Sequence, residues 1–394
     1  MSNGTSSTPA ANLLEFGGFT IPAGCRRIFI TAELEPSNGD PRIQPTGFPD
    51  IGPVLYPDPA EKDGLICLIE SEASMANWLE SVCFSNKYEG TLKDVFAGLP
   101  YLKAAKAGEL KTTSTLDGHR FASDFLAKCK AKFSNAKDAK EQSLADYIKD
   151  TLGMTDGGKT MPIANVPNVF PLVLSLDTMS LIHGFQISNE QISFVGLRLP
   201  RALSASIIGL DCERISVPGI KFNVGQVESE SGQAIFQKPR ITAKKIEARF
   251  SIDVGLLTSL RLVVPNEKLP EGKTADENKK EQEQLQSTRV QLLLAIAIWK
   301  VAAFLDLLSV ELSLRTECKL RLKRNEKGDP LPISVFCEPK AKAPADAAEK
   351  KSDGFDTATI VATSLAKNDG LITKAFPGTD TERNARSPLT LQFA

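Results

Sequence analysis

LLLAIAIWKVAAFLDLLSV, running from Leu292 to Val310, is the stretch on which the fold turns. As a membrane span it would make the chain a bilayer protein. As a buried helix it would make it the core of a soluble one. Lys300 and Asp306 interrupt the run, whereas a spanning helix normally shows a long uncharged stretch. The buried helix is therefore the expectation, with residues 288–310 helical. LSLRTECKLRLKR, 312–324, follows at once and alternates apolar with polar, which predicts a sheet strand. A core helix that delivers the chain into a strand predicts a sheet covered by helices.

Working outward, CRRIFITAELE, 25–35, alternates and carries β-branched residues, so it reads as a strand. LICLIESE, 65–72, reads as a buried strand. SMANWLESV, 74–82, places Met75, Trp78, Leu79 and Val82 at helical spacing behind Ser74 as a cap. The Ala- and Lys-rich tract from Tyr88 to Leu152 predicts a mostly helical excursion. VLSLDTMSLIHGF, 173–185, QISFVGL, 191–197, ALSASIIGL, 202–210, and ERISVPGIKFNVG, 213–225, predict strands, as does IEARFSIDVGLLTSLRLVV, 246–264. PNEKLPEGKTADENKKEQEQ, 265–284, predicts a charged loop running into a helix, and 338–353 a flexible segment. Strands separated by helices give an α+β class.

The chain of 394 residues is 42% hydrophobic and 24% charged, with net charge -1 and pI about 6.3. No bulk positive field announces a nucleic-acid binder, although a local basic groove is compatible with neutrality. Seven cysteines lie scattered at 25, 67, 83, 129, 212, 318 and 337, without metal-type spacing. That pattern fits a reducing compartment and argues against zinc. The polar start MSNGTSSTPAA lacks the order of a signal peptide. A cytoplasmic protein with no membrane partner, no cofactor and no metal is expected.

GMTDGGKT, 153–160, matches the P-loop pattern letter for letter. A nucleotide-binding enzyme is accordingly an alternative. Its context argues otherwise: a P-loop follows a strand and opens a helix, whereas here Pro162 and Pro167 follow a helical tract. The two histidines, His119 and His183, have no evident catalytic partner set, and no G-x-S-x-G or H-E-x-x-H occurs. No enzyme is expected. A structural protein without a nucleic-acid role is the third reading.

Basic residues recur beside turns and strand ends: Arg26 and Arg27, Arg42, His119 and Arg120, Arg198 and Arg201, Arg214, Lys221, and the run Lys238, Arg240, Lys244 and Lys245. Arginine suits phosphate because its fork donates several directed hydrogen bonds. PRIQPTGFPDIGPVLYPDP, 41–59, is a stiff, apolar ribbon with prolines at 41, 45, 49, 53, 57 and 59. It is expected to cross within one core, pinned by Phe48, Ile51 and Tyr56, and to leave Arg42 and Gln44 free.

Four stretches carry a family resemblance: RIQPTGFPDIGPVLY, 42–56; LIESEASMANWLE, 68–80; STLDGHRFAS, 114–123; and QLLLAIAIWKVAAFLDLLSVELSLRTECKLRL, 291–322. Together they resemble the backbone RAMP subunit of type I-G (formerly I-U) CRISPR effector complexes, the Csb family, which is the family-seven subunit. The resemblance implies a modified RRM-like (ferredoxin-like) core with large helical and loop insertions. That core would span 13–337 after a disordered 1–12, with insertions near 88–160 and 265–284, and 338–394 would form a flexible segment and C-terminal extension. It implies a non-catalytic subunit that coats guide RNA and stacks with further copies of itself in a helical filament. Its other partners would be a small capping RAMP subunit, a large effector subunit and target DNA. One subunit must hold many guide sequences, so contacts to sugar and phosphate are expected rather than base readout. No clean aromatic RNA-binding pattern is evident, and base-stacking rings are not expected. The residues expected at RNA are Arg42, Gln44, Ser71, Ser74, Asn77, His119, Arg120, Arg198, Arg201, Lys221, Lys244 and Lys245.

Overall fold

Alternation sets the main sheet. Along Cys25–Pro36 the side chains of Ile28, Ile30, Ala32 and Leu34 are buried, while Arg27, Phe29, Thr31, Glu33 and Glu35 turn the other way. The same two-residue period holds over the 246–253 part of Arg240–Asp253, where Ile246, Ala248, Phe250 and Ile252 are inside. One face of the sheet is therefore core and the other is open. The computed structural model describes residues 12–45, 47–48, 52–133, 141–188, 192, 198–215, 240–264, 274–314, 318–339, 355–366, 370–377 and 389–392.

The strands of this sheet are β1 (Cys25–Pro36), β2 (Arg42–Ile43), β3 (Leu55–Pro57), β4 (Leu65–Glu70), β5 (Leu203–Ile215), β6 (Arg240–Asp253), β7 (Leu312–Ser313), β8 (Lys319–Leu322) and β9 (Ser334–Pro339). Across the sheet they run β7, β8, β1, β6, β5, β4, β3, with β9 also on β1 and β2 also on β6. Every pairing is antiparallel. Helices α1 (Glu72–Ser81) and α2 (Ala275–Val310) lie on the core face. The chain thus has both helices and antiparallel sheets, an α+β protein.

α2 contains the opening stretch. Thr274 and Glu277 start it with a reciprocal capping box. Its apolar half is buried by protein: Leu292 to Ala302 are inside, and Trp299 meets Phe96 edge-on at 4.7 Å. Burying a side chain such as Phe304 contributes about 1.5–3 kcal/mol. The helices Thr357–Ala362 and Leu371–Ala375 of the C-terminal segment pack against α2. Trp299 Nε1 donates to Val361 O at 3.2 Å.

Several local expectations need correction. The tract 88–160 is not mostly helical. Leu102–Lys106, Glu109–Thr113, Lys130–Lys132 and Glu141–Ser143 are strands of a second, five-stranded sheet, completed by Leu389–Gln392 from the C-terminal end. Its first hairpin turns at Ala107 and Gly108, both in the left-handed region (φ 52° and 82°), as a tight two-residue turn requires. The run 173–185 is helical, not strand: Val169–Leu176 and Ser180–His183. A short apolar run does not distinguish the two, and Pro171 sits in a first turn, where a missing N–H costs nothing. β6 ends at Asp253, whose carboxylate accepts from Leu256 N–H at 2.8 Å and starts the helix Val254–Ser259 inside the stretch expected to be strand. α1 begins at Glu72 with Ser71, not Ser74, as its cap.

In the ribbon, β2 joins the central strand β6 and β3 joins the outer strand β4, so it crosses part of the sheet. Its anchors are buried Ile43 and half-buried Leu55. Tyr56, 41% exposed and paired with Ile66 across the strands, is not among the side chains packed on the core. Ile51, the Phe48 side chain, Lys221, Lys238, QISFVGL except Ile192, and residues 1–11, 265–273 and 340–354 lie outside the described residues.

Candidate nucleic-acid interface

The open face of the main sheet follows from register. Opposite pairs across β1 and β6 are Arg27–Asp253, Phe29–Ser251, Thr31–Arg249 and Glu33–Glu247. On the other side of β1, Phe336 of β9 lies opposite Phe29, and Arg321 of β8 opposite Glu35. Residues directly opposite one another share a face.

The charges on this face are layered. Glu247 receives Lys245 at 2.8 Å and Arg249 at 2.7 Å. Its side chain is 9% exposed, against 45% for Lys245 and 48% for Arg249. Lys323 pairs with Glu33, Arg321 with Glu35 at 2.8 Å, and Arg27 with Asp253 at 3.2 Å. In each pair the carboxylate is the more buried partner. Burial pushes the Glu247 carboxyl up, but the hydrogen bonds from Lys245 and Arg249 outweigh it and hold it below its ordinary value. The Lys245 ammonium is raised by the same contact. Glu338 of β9, opposite Arg27, adds one more carboxylate to the face, and formal charge there nearly cancels; yet the more exposed partner of every pair named is the cation, so the outer layer of these pairs is cationic. Such a layer attracts a polyanion while the carboxylates hold the cations upright.

The sequence-predicted residues fall into separate places. Ser71 and Ser74 meet at the start of α1, where Ser71 Oγ accepts from Ser74 N–H at 3.3 Å. Arg201 joins them by donating to Glu72 O at 3.4 Å. Asn77 is exposed farther along α1, and Met75 and Leu79 are core. Arg198 is exposed on a short strand paired with Phe185–Gln186. Arg42 is exposed but gripped through Nε by both carboxylate oxygens of Asp40, at 2.8 and 2.9 Å, which hold the Asp40 carboxyl at about 2. Gln44 is half-buried, its backbone N–H 3.2 Å from Cys318 Sγ. His119 is exposed. Lys244 is exposed and 3.1 Å from Asp211. Among the described members of the set, Lys245 alone stands on the open sheet face.

Arg120 is a correction. Its side chain is 7% exposed and ion-paired with Glu80, itself 8% exposed. The guanidinium therefore faces α1, away from solvent. Around it lies a buried polar group. Lys300 Nζ lies 2.7 Å from His183 Nε2, and His183 Nδ1 lies 3.6 Å from Glu80 Oε1. Burial, reinforced by Lys300 and Arg120, holds the His183 imidazole well below its usual value. Burial likewise pushes the Glu80 carboxyl up against the pull of Arg120 and Lys300. This group ties α1, the turn at 119–120, the Ser180–His183 helix and α2 into one body.

GMTDGGKT closes as a turn. Thr155 N–H donates to Thr160 O, and the N–H groups of Gly158, Lys159 and Thr160 all point to Thr155 O, at 3.0, 3.2 and 3.3 Å. The N–H donors of Thr155, Gly158, Lys159 and Thr160 are thus spent internally, and Thr160 Oγ1 donates to Asp156. No regular helix opens there; a 3-10 turn over Ile163–Asn168 follows. Among the described residues no group of His, Cys, Asp and Glu side chains could hold a metal.

Sequence reasoning missed Phe29, Arg249, Arg321, Lys323 and Phe336. For all but Phe336 the signal was present in two-residue alternation: residues 27, 29, 31, 33 and 35 of CRRIFITAELE, 247, 249, 251 and 253 of IEARFSID, and 321 of LSLRTECKLRLKR share the open face, and Lys323 follows in the same alternation.

No curated protein matches the chain. Residues 28–214, just under half of it, match the family model described as CRISPR-associated protein GSU0053 (Cas_GSU0053). The matched segment runs from β1 to β5 and includes the ribbon, α1 and the turn at 119–120. That match supports a CRISPR-associated protein family for this chain, carried by residues 28–214.

Proposed function

We propose that the protein is the non-catalytic backbone subunit of a type I-G (formerly I-U) CRISPR effector complex, a family-seven RAMP protein. It binds guide RNA through the sugar–phosphate backbone and assembles with further copies along it in the cytoplasm. It meets a small capping RAMP subunit, a large effector subunit and target DNA there. The core supports an RRM-like (ferredoxin-like) reading. With the intervening elements treated as insertions, strand β1, helix α1, strands β5 and β6, helix α2 and the final pair β8/β9 come in the order strand–helix–strand–strand–helix–strand. In space the last strands lie beside the first, then β6, then β5.

The observation that carries the RNA reading is the cationic outer layer of the open face, Arg27, Lys245, Arg249, Arg321 and Lys323, standing over more buried carboxylates. Fixed cations of this kind meet phosphate irrespective of base sequence. The test is fluorescence anisotropy of the full chain with two unrelated labelled guide RNAs across a salt series. Both should bind with similar affinity and lose it steeply with salt. Lys245→Gln with Arg249→Gln and Lys323→Gln should weaken both alike. The salt slope should flatten by about 0.7 for each phosphate no longer neutralised. Absence of binding at low salt, or a loss confined to one guide, overturns the reading and leaves a structural protein in its place.

A further inference from the structure

Phe29 and Phe336 are 37% and 38% exposed, and they lie directly opposite each other on β1 and on β9, which pairs with β1 alone among the described strands. Their ring centroids are 6.3 Å apart with planes 20° from parallel. Single exposed apolar side chains are ordinary; two mutually aligned rings on an open sheet face are not. Each ring restrains the other at a separation typical of offset stacking, so a stacked aromatic pair stands preformed. Its surroundings are polar. Ser251 lies across from Phe29 on β6. One row along are Ser334, Thr31 and Arg249 in register across three strands. Successive same-face rows on a strand are about 6.6–6.8 Å apart, a distance that one nucleotide of an extended strand spans. Rings beside hydroxyls and a guanidinium match a base on its sugar and phosphate.

We propose that the Phe29–Phe336 pair is a stacking subsite for an unpaired base of single-stranded RNA. This deepens the guide-RNA reading and rests on it. It also changes the expected mode of binding, since the grip would combine phosphate contacts with sequence-tolerant stacking. Every base has a π-face, so the subsite accepts any guide. A protein partner would use the same rings differently, by burying them against apolar side chains of its own.

The experiment uses the full chain and three labelled 20-mers: single-stranded RNA, the same RNA with abasic sites throughout, and DNA of the same sequence. Wild type should bind intact RNA roughly 5- to 150-fold more tightly than abasic RNA, the range expected for one stacked base. Phe29→Ala with Phe336→Ala should bring intact RNA down to the abasic level. Phe29→Tyr with Phe336→Tyr should keep the preference. Phe29→Leu with Phe336→Leu, which preserves apolar cover on the sheet, should lose it. Equal wild-type binding to intact and abasic RNA overturns the stacking subsite while leaving backbone recognition standing. Failure of wild type to bind either RNA overturns the parent reading as well. A lowered melting temperature with the base preference intact would show that the pair only stabilises the sheet. Loss of self-association with RNA binding unchanged would make the face a protein-docking surface. Tighter binding to DNA than to RNA would overturn the RNA assignment.

Discussion

Arg120→Ala separates a buried structural ion pair from an RNA contact. The guanidinium and the Glu80 carboxylate are almost wholly enclosed, at 7% and 8% exposure. Removing one partner of a buried pair costs about 3–5 kcal/mol, because the other is left desolvated. Arg120 has φ 45°, in the left-handed region. Alanine inherits that backbone, so the conformational cost largely cancels and the effect reports the side chain. For 394 residues the unfolding entropy is about 0.8 kcal/mol/K. Treating the chain as one cooperative unit, the melting temperature should drop by about 4–6 °C. Differential scanning fluorimetry at pH 7 measures it. Glu80→Leu combined with Arg120→Met should recover much of the loss, since a well-packed apolar pair can replace a buried ionic one. RNA affinity of the folded fraction should be unchanged. A variant that melts within about 1 °C of wild type but binds guide RNA weakly would refute the burial argument and return Arg120 to the interface.

The buried imidazole gives a pH dependence with a definite sign. His183 is depressed when folded, so the unfolded chain takes up a proton near pH 6.5 that the folded ring refuses; stability is lost as pH falls below about 6.5. Glu80, raised by burial, acts with the opposite sign, favouring the folded state at more acid pH. The difference in melting temperature between about pH 7 and pH 5.5 should therefore shrink in His183→Gln relative to wild type, and equal pH profiles would contradict the assignment. Lys159→Ala should leave melting temperature within about 1 °C and RNA affinity unaltered, and isothermal titration of wild type with Mg-ATP should give no heat; measurable binding would reopen the P-loop reading. Gly184→Ala should be severely destabilising, because Gly184 has φ 81° and its new Cβ would lie 2.7 Å from Leu199 O. Soluble expression and a thermal melt test this, and a wild-type melting temperature would show that the Leu199 backbone yields.

How legible the fold is depends on the kind of signal. The strands at 25–35 and 65–70 and the helix over 288–310 declare themselves, because one side of each must be apolar to build the core. The second sheet does not. Its strands are three to five residues long, too short for a period to emerge, and LKAAK has the composition of a helix. Leu389–Gln392 enters that sheet beside Leu102–Lys106, a pairing across nearly the whole chain that no local pattern encodes. The run 173–185, helical over most of its length, reads as strand because an apolar segment buried on nearly all sides has no period to show. For the candidate site, a roll of basic residues is a poor guide. Arg120 and Lys245 look alike in sequence, yet one is sealed against Glu80 and the other stands on the open sheet.

The near-neutral charge, which argues against a nucleic-acid partner, is the necessary counterpart of that arrangement. Five cations spaced along neighbouring strands would repel one another on a bare sheet, and flexible lysines would lose more entropy on meeting phosphate. Glu33, Glu35, Glu247 and Asp253 relieve both costs from below, since each fixes at least one cation and is less exposed than what it fixes. The carboxylates thus cancel the charge in the total but not at the surface. It follows that neutralising a floor carboxylate, as in Glu247→Gln, adds net positive charge yet releases Lys245 and Arg249. If attraction were set by net charge, that variant would bind RNA more tightly. Because preorganisation sets it, the bound complex should dissociate faster, and stopped-flow dissociation from labelled guide RNA distinguishes the two.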